Sequence, residues 1–185
     1  MLEGLIIHDL KRFKDERGYF YESFNKSKVI KGLNNLNFVQ DNVAYTEKKY
    51  TFRGLHQQKG QYSQGKLISV VSGTILDIVV DIRPESATFG DHSKILIDDE
   101  NSYQLFVPDG FLHGYLTLKD ETTVIYKTTC KYKPEAEIGV NIFDENLKIE
   151  LPCSRDEVIL SPKDKVLNSF EEIKKEILKK WDIKI

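Results

Sequence analysis

Thiols are scarce: Cys130 and Cys153 are the two cysteines in 185 residues. Two thiols in a chain of this size do not build a disulfide framework, so a reducing cytoplasm is the expected compartment. No apolar run approaches the roughly 20 residues of a membrane-spanning helix, so no membrane partner is expected. The opening Met1-Leu2-Glu3-Gly4-Leu5 lacks a basic region and an extended apolar run, and no signal peptide is expected there. A basic surplus is absent too, with 27 Lys and Arg against 29 Asp and Glu. That balance argues against a nucleic-acid partner but leaves room for a small anion, which needs only a few local cations. Internal repeats, low-complexity tracts and linkers are missing, so one unit spanning 1–185 is expected. What remains is 40% hydrophobic, 30% charged and 11% aromatic, the make-up of an ordinary soluble enzyme.

Short apolar runs punctuated by glycine and polar turns fill most of the chain. Strands are expected at Gly4–Leu10, Phe38–Thr46, Lys66–Val71, Thr74–Ile82, Ile95–Ile97, Tyr103–Val107 and Thr122–Thr128. Ser72-Gly73 reads as a tight hairpin between two of them. Pro108–Tyr115 reads as a closing segment after Val107, and Pro134–Gly139 as a loop. A short helix is expected over Asn25–Leu36, capped by Asn25 or Ser27 and ended by Gly32. Ser169-Phe170-Glu171-Glu172 fits a capping box opening a helix over 169–182, with Phe170, Ile173, Ile177, Leu178 and Trp181 on one face. The sum is an all-β sandwich or barrel with a C-terminal helix.

The stretch that carries chemistry is Arg53-Gly54-Leu55-His56-Gln57-Gln58, with Lys66 ten residues after His56. In an extended strand Arg53 and Leu55 face one way and Gly54, His56 and Gln58 the other. A histidine held beside cations suits proton abstraction, although a structural histidine would satisfy the same pattern. Tyr19–Phe24 places aromatics on both faces, which fits a ligand, a second subunit or a two-sided core strand. Gln40-Asp41-Asn42 puts three polar groups inside an apolar strand, and each needs a partner if buried.

Pro108-x-Gly110-x-x-His113 resembles the second motif of the cupin superfamily, whose fold is a jelly-roll β-barrel. Metal cupins supply His-x-His and a glutamate from a first motif. Here that place holds His56-Gln57-Gln58, so His56 and His113 fall short of a divalent-metal ligand set and no metal is expected. The ordered set Asp15–Glu22, Gln40–Asn42, Arg53–His56, Gln64–Leu67, Asp77–Arg83, Ser86–Gly90, Pro108–Gly114, Tyr126-Lys127 and Ser161–Asp164 resembles the dTDP-4-dehydrorhamnose 3,5-epimerase family in order and spacing, from about Gly4 to Asp164.

This resemblance implies a cofactor-free cupin that epimerises a 4-keto sugar on a nucleoside diphosphate. His56 matches the family's base, Asp164 the carboxylate that orients it, Lys66 the cation near the enolate oxygen and Tyr126 the proton donor. Arg53, His113, Gln40, Asn42 and Tyr132 match substrate contacts. Arg17, Phe20 and Glu22 match residues that reach the nucleotide from a partner subunit, which implies a homodimer with strand exchange. The chain departs from the family at Gln57, where an aromatic is commoner, and at Ile142–Asp144 and Ile149–Pro152, which lack the usual tryptophans. Inversion at one carbon only, a GDP-linked substrate, a non-catalytic sugar-nucleotide-binding cupin and a metal-dependent cupin stay open as alternatives.

Overall fold

Alternating apolar and polar residues, with both faces of one sheet apolar, fold here into two stacked antiparallel sheets. The computed structural model describes residues 1–26, 33, 36–101 and 103–179. Its strands are β1 (Ile6–Asp9), β2 (Phe13–Asp15), β3 (Gly18–Phe20), β4 (Gln40–Thr46), β5 (Phe52–Gln58), β6 (Lys66–Ser72), β7 (Thr74–Asp81), β8 (His92–Asp98), β9 (Tyr103–Val107), β10 (Phe111–Thr117), β11 (Thr122–Thr128) and β12 (Glu137–Gly139). One sheet runs β1-β9-β6-β11-β4 and the other β12-β5-β10-β7-β8, while β2 and β3 form a separate hairpin. This is the two-sheet jelly-roll arrangement expected from the sequence.

The second sheet is buried on both faces. Ile75, Val79, Phe111 and Tyr115 point inward against Ile68, Val70, Leu105 and Val124 of the first sheet. Ile78, Val80, Leu112 and Leu116 point outward and are covered by Val140, Ile142, Leu147, Phe170 and Ile173. The irregular segment after β12 and the helix α1 (Phe170–Lys179) therefore act as a lid on that outer face. The capping box expected at Ser169 is present: Glu172 Oε2 accepts from the Ser169 backbone N–H at 2.8 Å. The expected helix over Asn25–Leu36 lies mostly outside the described residues, as does Trp181.

Three expectations are corrected. Ser72-Gly73 does not close a hairpin, because β6 and β7 belong to different sheets. Gly73, at φ +90°, turns the chain from one sheet to the other, and a Cβ there would collide with Thr122. The segment after Pro108 is not a closing loop; Phe111–Thr117 is a central strand, wholly buried, paired to β5 and β7. Its Gly114 and mixed polarity hide it from a period-two search. Pro134–Gly139 is a 3-10 turn followed by the edge strand β12 rather than a loop throughout.

Candidate active site

Strand β5 departs from plain alternation, and that departure builds the site. On β10, Tyr115 pairs with Arg53 and His113 with His56, so two steps on β10 face three on β5. The extra residue is a β-bulge at Gly54-Leu55. Gly54 sits at φ +131°, and a Cβ on it would lie 2.5 Å from the Gly114 Cα. The Gly54–Leu55 peptide bond is cis. The expectation that Arg53 and His56 face opposite ways is thereby overturned: both line one cleft between the sheets.

That cleft has a volume of about 500 Å³ and takes side chains from both sheets. From β5 come Arg53 and His56, from β10 His113 and Tyr115, from β6 Lys66 and from β11 Tyr126. Asp164 enters from a 3-10 turn over Asp164–Val166, where its N–H donates to Ser161 Oγ at 3.1 Å. Its Oδ1 lies 2.7 Å from His56 Nε2. Burial pushes the Asp164 carboxyl up, but the hydrogen bond and charge of His56, with hydrogen bonds from Ser161 and the Gly54 backbone, together hold the pKa below the usual value. With Nε2 committed to Asp164, Nδ1 is the imidazole nitrogen left to take a proton.

Lys66 Nζ donates to the His56 carbonyl at 3.4 Å, tying the first sheet to the second across the cleft. Burial lowers its pKa to about 8, against the opposing pull of Asp77 and Glu137. Tyr126 is raised by burial, so its phenol stays protonated. His113 is 7% exposed, and its Nε2 lies 2.8 Å from Asp77 Oδ2. Arg53 is fixed by donation from Nε to Thr46 Oγ1 and from Nη2 to the Tyr45 carbonyl, both at 3.2 Å.

Glu137 and Lys163 are site residues that sequence reading did not single out as such. Glu137 Oε1 is ion-paired with Lys163 Nζ and stands 3.9 Å from His56 Nε2, while Oε2 accepts from the Tyr132 hydroxyl at 2.8 Å. Burial raises Glu137, and Lys163, His56 and Tyr132 together hold it below its usual value. Lys163 lies in the motif beside Asp164, so a signal for it existed. Glu137 had none, because it sits in a stretch that reads as a loop.

Five expected site residues lie away from the cleft lining. Gln40 Oε1 accepts from the Tyr132 N–H at 2.9 Å, and its Nε2 donates to Asn42 Oδ1 at 2.8 Å. Both therefore brace the wall that carries Tyr132 and Tyr126. Arg17 pairs with Asp15 at 2.6 Å on the exposed hairpin, and Phe20 is 66% exposed there. Glu22 accepts from Asn25 Nδ2 at 2.8 Å and borders a separate cavity.

A sequence model described as dTDP-4-dehydrorhamnose 3,5-epimerase matches residues 1–172. The chain is 42% identical to the dTDP-4-dehydrorhamnose 3,5-epimerase of Escherichia coli K12 over 173 residues, covering 93% of this chain and 92% of the relative. Its fold superposes, with a TM-score of 0.88 and 39% identity, on the dTDP-6-deoxy-D-glucose-3,5-epimerase of Legionella pneumophila, solved with dTDP-4-keto-L-rhamnose; 95% of this chain and 93% of that one are covered. A 3'-monoepimerase of Streptomyces bikiniensis, solved with dTDP-quinovose, is similar at 28% identity and a TM-score of 0.85, over 94% of this chain and 87% of that one. With a match to nearly the whole sequence and the same fold around the cleft, this chain belongs to the dTDP-4-dehydrorhamnose 3,5-epimerase family.

Proposed function

We propose that the protein is an isomerase that inverts C3 and C5 of dTDP-4-dehydro-6-deoxy-D-glucose to give dTDP-4-dehydro-L-rhamnose. Both carbons flank the C4 ketone, so removing either proton gives a carbanion that delocalises into an enolate. This chemistry needs a base, a cation for the enolate oxygen and an acid on the other face, and it needs no cofactor. The observation that carries the reading is the 2.7 Å contact between His56 Nε2 and Asp164 Oδ1 in a cleft whose facing sheet supplies Lys66 and Tyr126.

His56 takes the proton at Nδ1, and Asp164 steadies the imidazolium that forms. The Lys66 ammonium sits where negative charge collects on the ketone oxygen. Tyr126, kept protonated by burial, returns a proton from the opposite sheet. Arg53 offers its planar fork to the diphosphate. His113 hydrogen-bonds the sugar, and Tyr132, braced by Gln40, lies along the nucleotide. The nine-residue lead from Phe13 through Tyr21 carries exposed Phe13, Tyr19 and Phe20, and Val43 and Tyr45 are exposed on β4, an edge strand of the first sheet. These apolar groups support a homodimer in which the hairpin delivers Arg17, Phe20 and Glu22 to the partner's nucleotide. Two free thiols, Cys130 and Cys153, fit a cytoplasmic enzyme acting as one unit.

The test is NMR of the dTDP-linked 4-keto-6-deoxy-glucose in deuterated water. Enzyme-dependent deuterium at both C3 and C5 is the expected result. Labelling at one carbon would favour a single-site epimerase, the reading to which the similar 3'-monoepimerase points. No labelling above background would sink the proposal.

A further inference from the structure

Double inversion sets a proton-balance problem, and the point rests on the epimerase reading above. Each inversion leaves His56 with one proton more and Tyr126 with one fewer. A second inversion of the same bound sugar by the same pair requires His56 to lose that proton and Tyr126 to regain one, either by exchange with solvent or by transfer within the cleft.

A row of polar groups runs along the cleft floor between these two residues. His56 on β5 lies directly opposite His113 on β10. Side chains so opposed have Cβ atoms roughly 5 Å apart. His113 Nε2 contacts Asp77 Oδ2 at 2.8 Å. Asp77 on β7 lies directly opposite Tyr115, which is two residues along β10 from His113 and so on the same face. The Tyr115 and His113 rings are 6.5 Å apart. Tyr126, from the facing sheet, is among the groups that act electrostatically on the Tyr115 phenol.

The row carries a second sign of use. Asp77 is fully buried and Tyr115 is 4% exposed. Among the described residues, three buried side-chain atoms lack a well-formed hydrogen bond: Arg12 Nε, Asp77 Oδ1 and Tyr115 Oη, the last with the Thr46 side chain as a nearby polar group. Two of the three belong to this row, one an acceptor and one a donor. Poorly paired buried polar atoms weaken a fold, and apolar side chains of the same shape would pack here without that penalty. Packing therefore does not account for them.

We propose that His113, Asp77 and Tyr115 form a proton-return relay that resets His56 and Tyr126 between the two inversions. Protonated His56 gives its extra proton to Nδ1 of His113, and His113 releases the proton on Nε2 to Asp77. The Asp77 carboxyl passes it, through one bridging water on its Oδ1 side, to the Tyr115 oxygen. Tyr115 releases its own hydroxyl proton to the Tyr126 phenolate. Each N–H or O–H bond broken is matched by one formed, no electrons change hands, and the net result is one proton moved. In this relay Asp77, fully buried behind the cleft, and Tyr115 act through His113 and Tyr126.

The experiment is a single turnover in deuterated water with enzyme in excess, followed by NMR, for the wild type, Tyr115→Phe and Asp77→Asn, with Tm recorded for each. In Tyr115→Phe the ratio of singly to doubly inverted sugar at early times rises about tenfold or more. Its Tm holds or rises, because the poorly bonded hydroxyl is gone. Should Tyr115→Phe not fold, the same ratio in Asp77→Asn decides. A wild-type ratio in both variants, or equal loss at both carbons with a falling Tm, overturns the relay. Labelling of only one carbon by the wild type also overturns it, since no reset is then needed. No labelling by the wild type at all would instead reject the epimerase reading itself.

Discussion

His56 and Lys66 carry opposite demands on the same cleft: one must accept a proton and the other must keep one. His56→Ala removes the base, and kcat for exchange at both carbons is expected to fall by about 10³-fold, with nucleotide binding measured by calorimetry nearly unchanged. Substantial turnover in that variant would show that the base lies elsewhere. Lys66 is charged in a buried position, and its pKa is lowered to about 8. The charged form therefore costs stability below pH 8, and the cost fades as pH rises toward the unfolded value. Two outcomes follow for a pH titration and a Lys66→Met variant. The wild-type kcat declines as pH rises through about 8, as the ammonium is lost. Lys66→Met loses most activity yet melts about 2–4 °C higher, since roughly 1 kcal/mol of burial cost is relieved. A variant that loses both activity and Tm would mean that Lys66 supports the fold and not the enolate.

At the level of elements, one bulge and one turn position the cleft. The bulge in β5 makes Arg53 and His56 share a face, and Gly54 is the residue that permits it. Gly54→Ala drives a methyl group into the β10 backbone, and a loss of about 2–4 kcal/mol in urea unfolding is expected, with activity abolished. Normal stability there would mean that the two strands part more easily than their contact suggests. The turn after β7 is anchored by Asp81, fully buried, which accepts from the Arg83 N–H at 2.9 Å, from Arg83 Nη2 at 2.6 Å, from Ser86 Oγ at 2.6 Å and from Thr88 Oγ1 at 2.7 Å. Burial pushes this carboxyl up, and these donors, with Arg83 Nε at 3.0 Å, hold it well below the usual carboxylate range. A depressed folded pKa means stability that is present above about pH 4 and lost as pH falls further. Asp81→Asn should cost about 2–3 kcal/mol at pH 7 and flatten the acid limb of the unfolding profile. An unchanged acid limb would assign that limb to other carboxylates.

For the whole molecule, the exposed hairpin of β2 and β3 is the part that the fold of one chain does not use. Its six strand residues are all exposed, and among the described residues its two strands pair with each other alone. Light scattering after size-exclusion chromatography should report a mass of two chains. Phe20→Asp, placing a charge on that apolar tip, should shift the population toward one chain and raise KM about tenfold while sparing Tm of the single chain. A monomeric wild type with full activity would remove the partner's hairpin from the site. No helix among the described residues is long and apolar enough to cross a membrane, in keeping with the short strands read from the sequence.

Strand identity and the two-sheet class were legible because each leaves a local trace, period-two apolar runs and glycine turns, whereas the pairing of His56 with Asp164 came only with the family resemblance and has no local trace of its own. The central strand Phe111–Thr117 was not legible, since its His113 and Gly114 break the period while contacts on both sides bury it. The Ser72-Gly73 turn misled for a related reason: a tight turn looks the same whether the next strand pairs back or joins the other sheet. The direction of Arg53 and the place of Glu137 depended on long-range pairing. A bulge is a mismatch between two strands, and Glu137 acquires its role from Lys163, Tyr132 and His56, none of them its sequence neighbour. Local chemistry is written along the chain; which groups meet across 108 residues, as His56 and Asp164 do, follows from how the segment after β12 folds back and sets its 3-10 turn against β5.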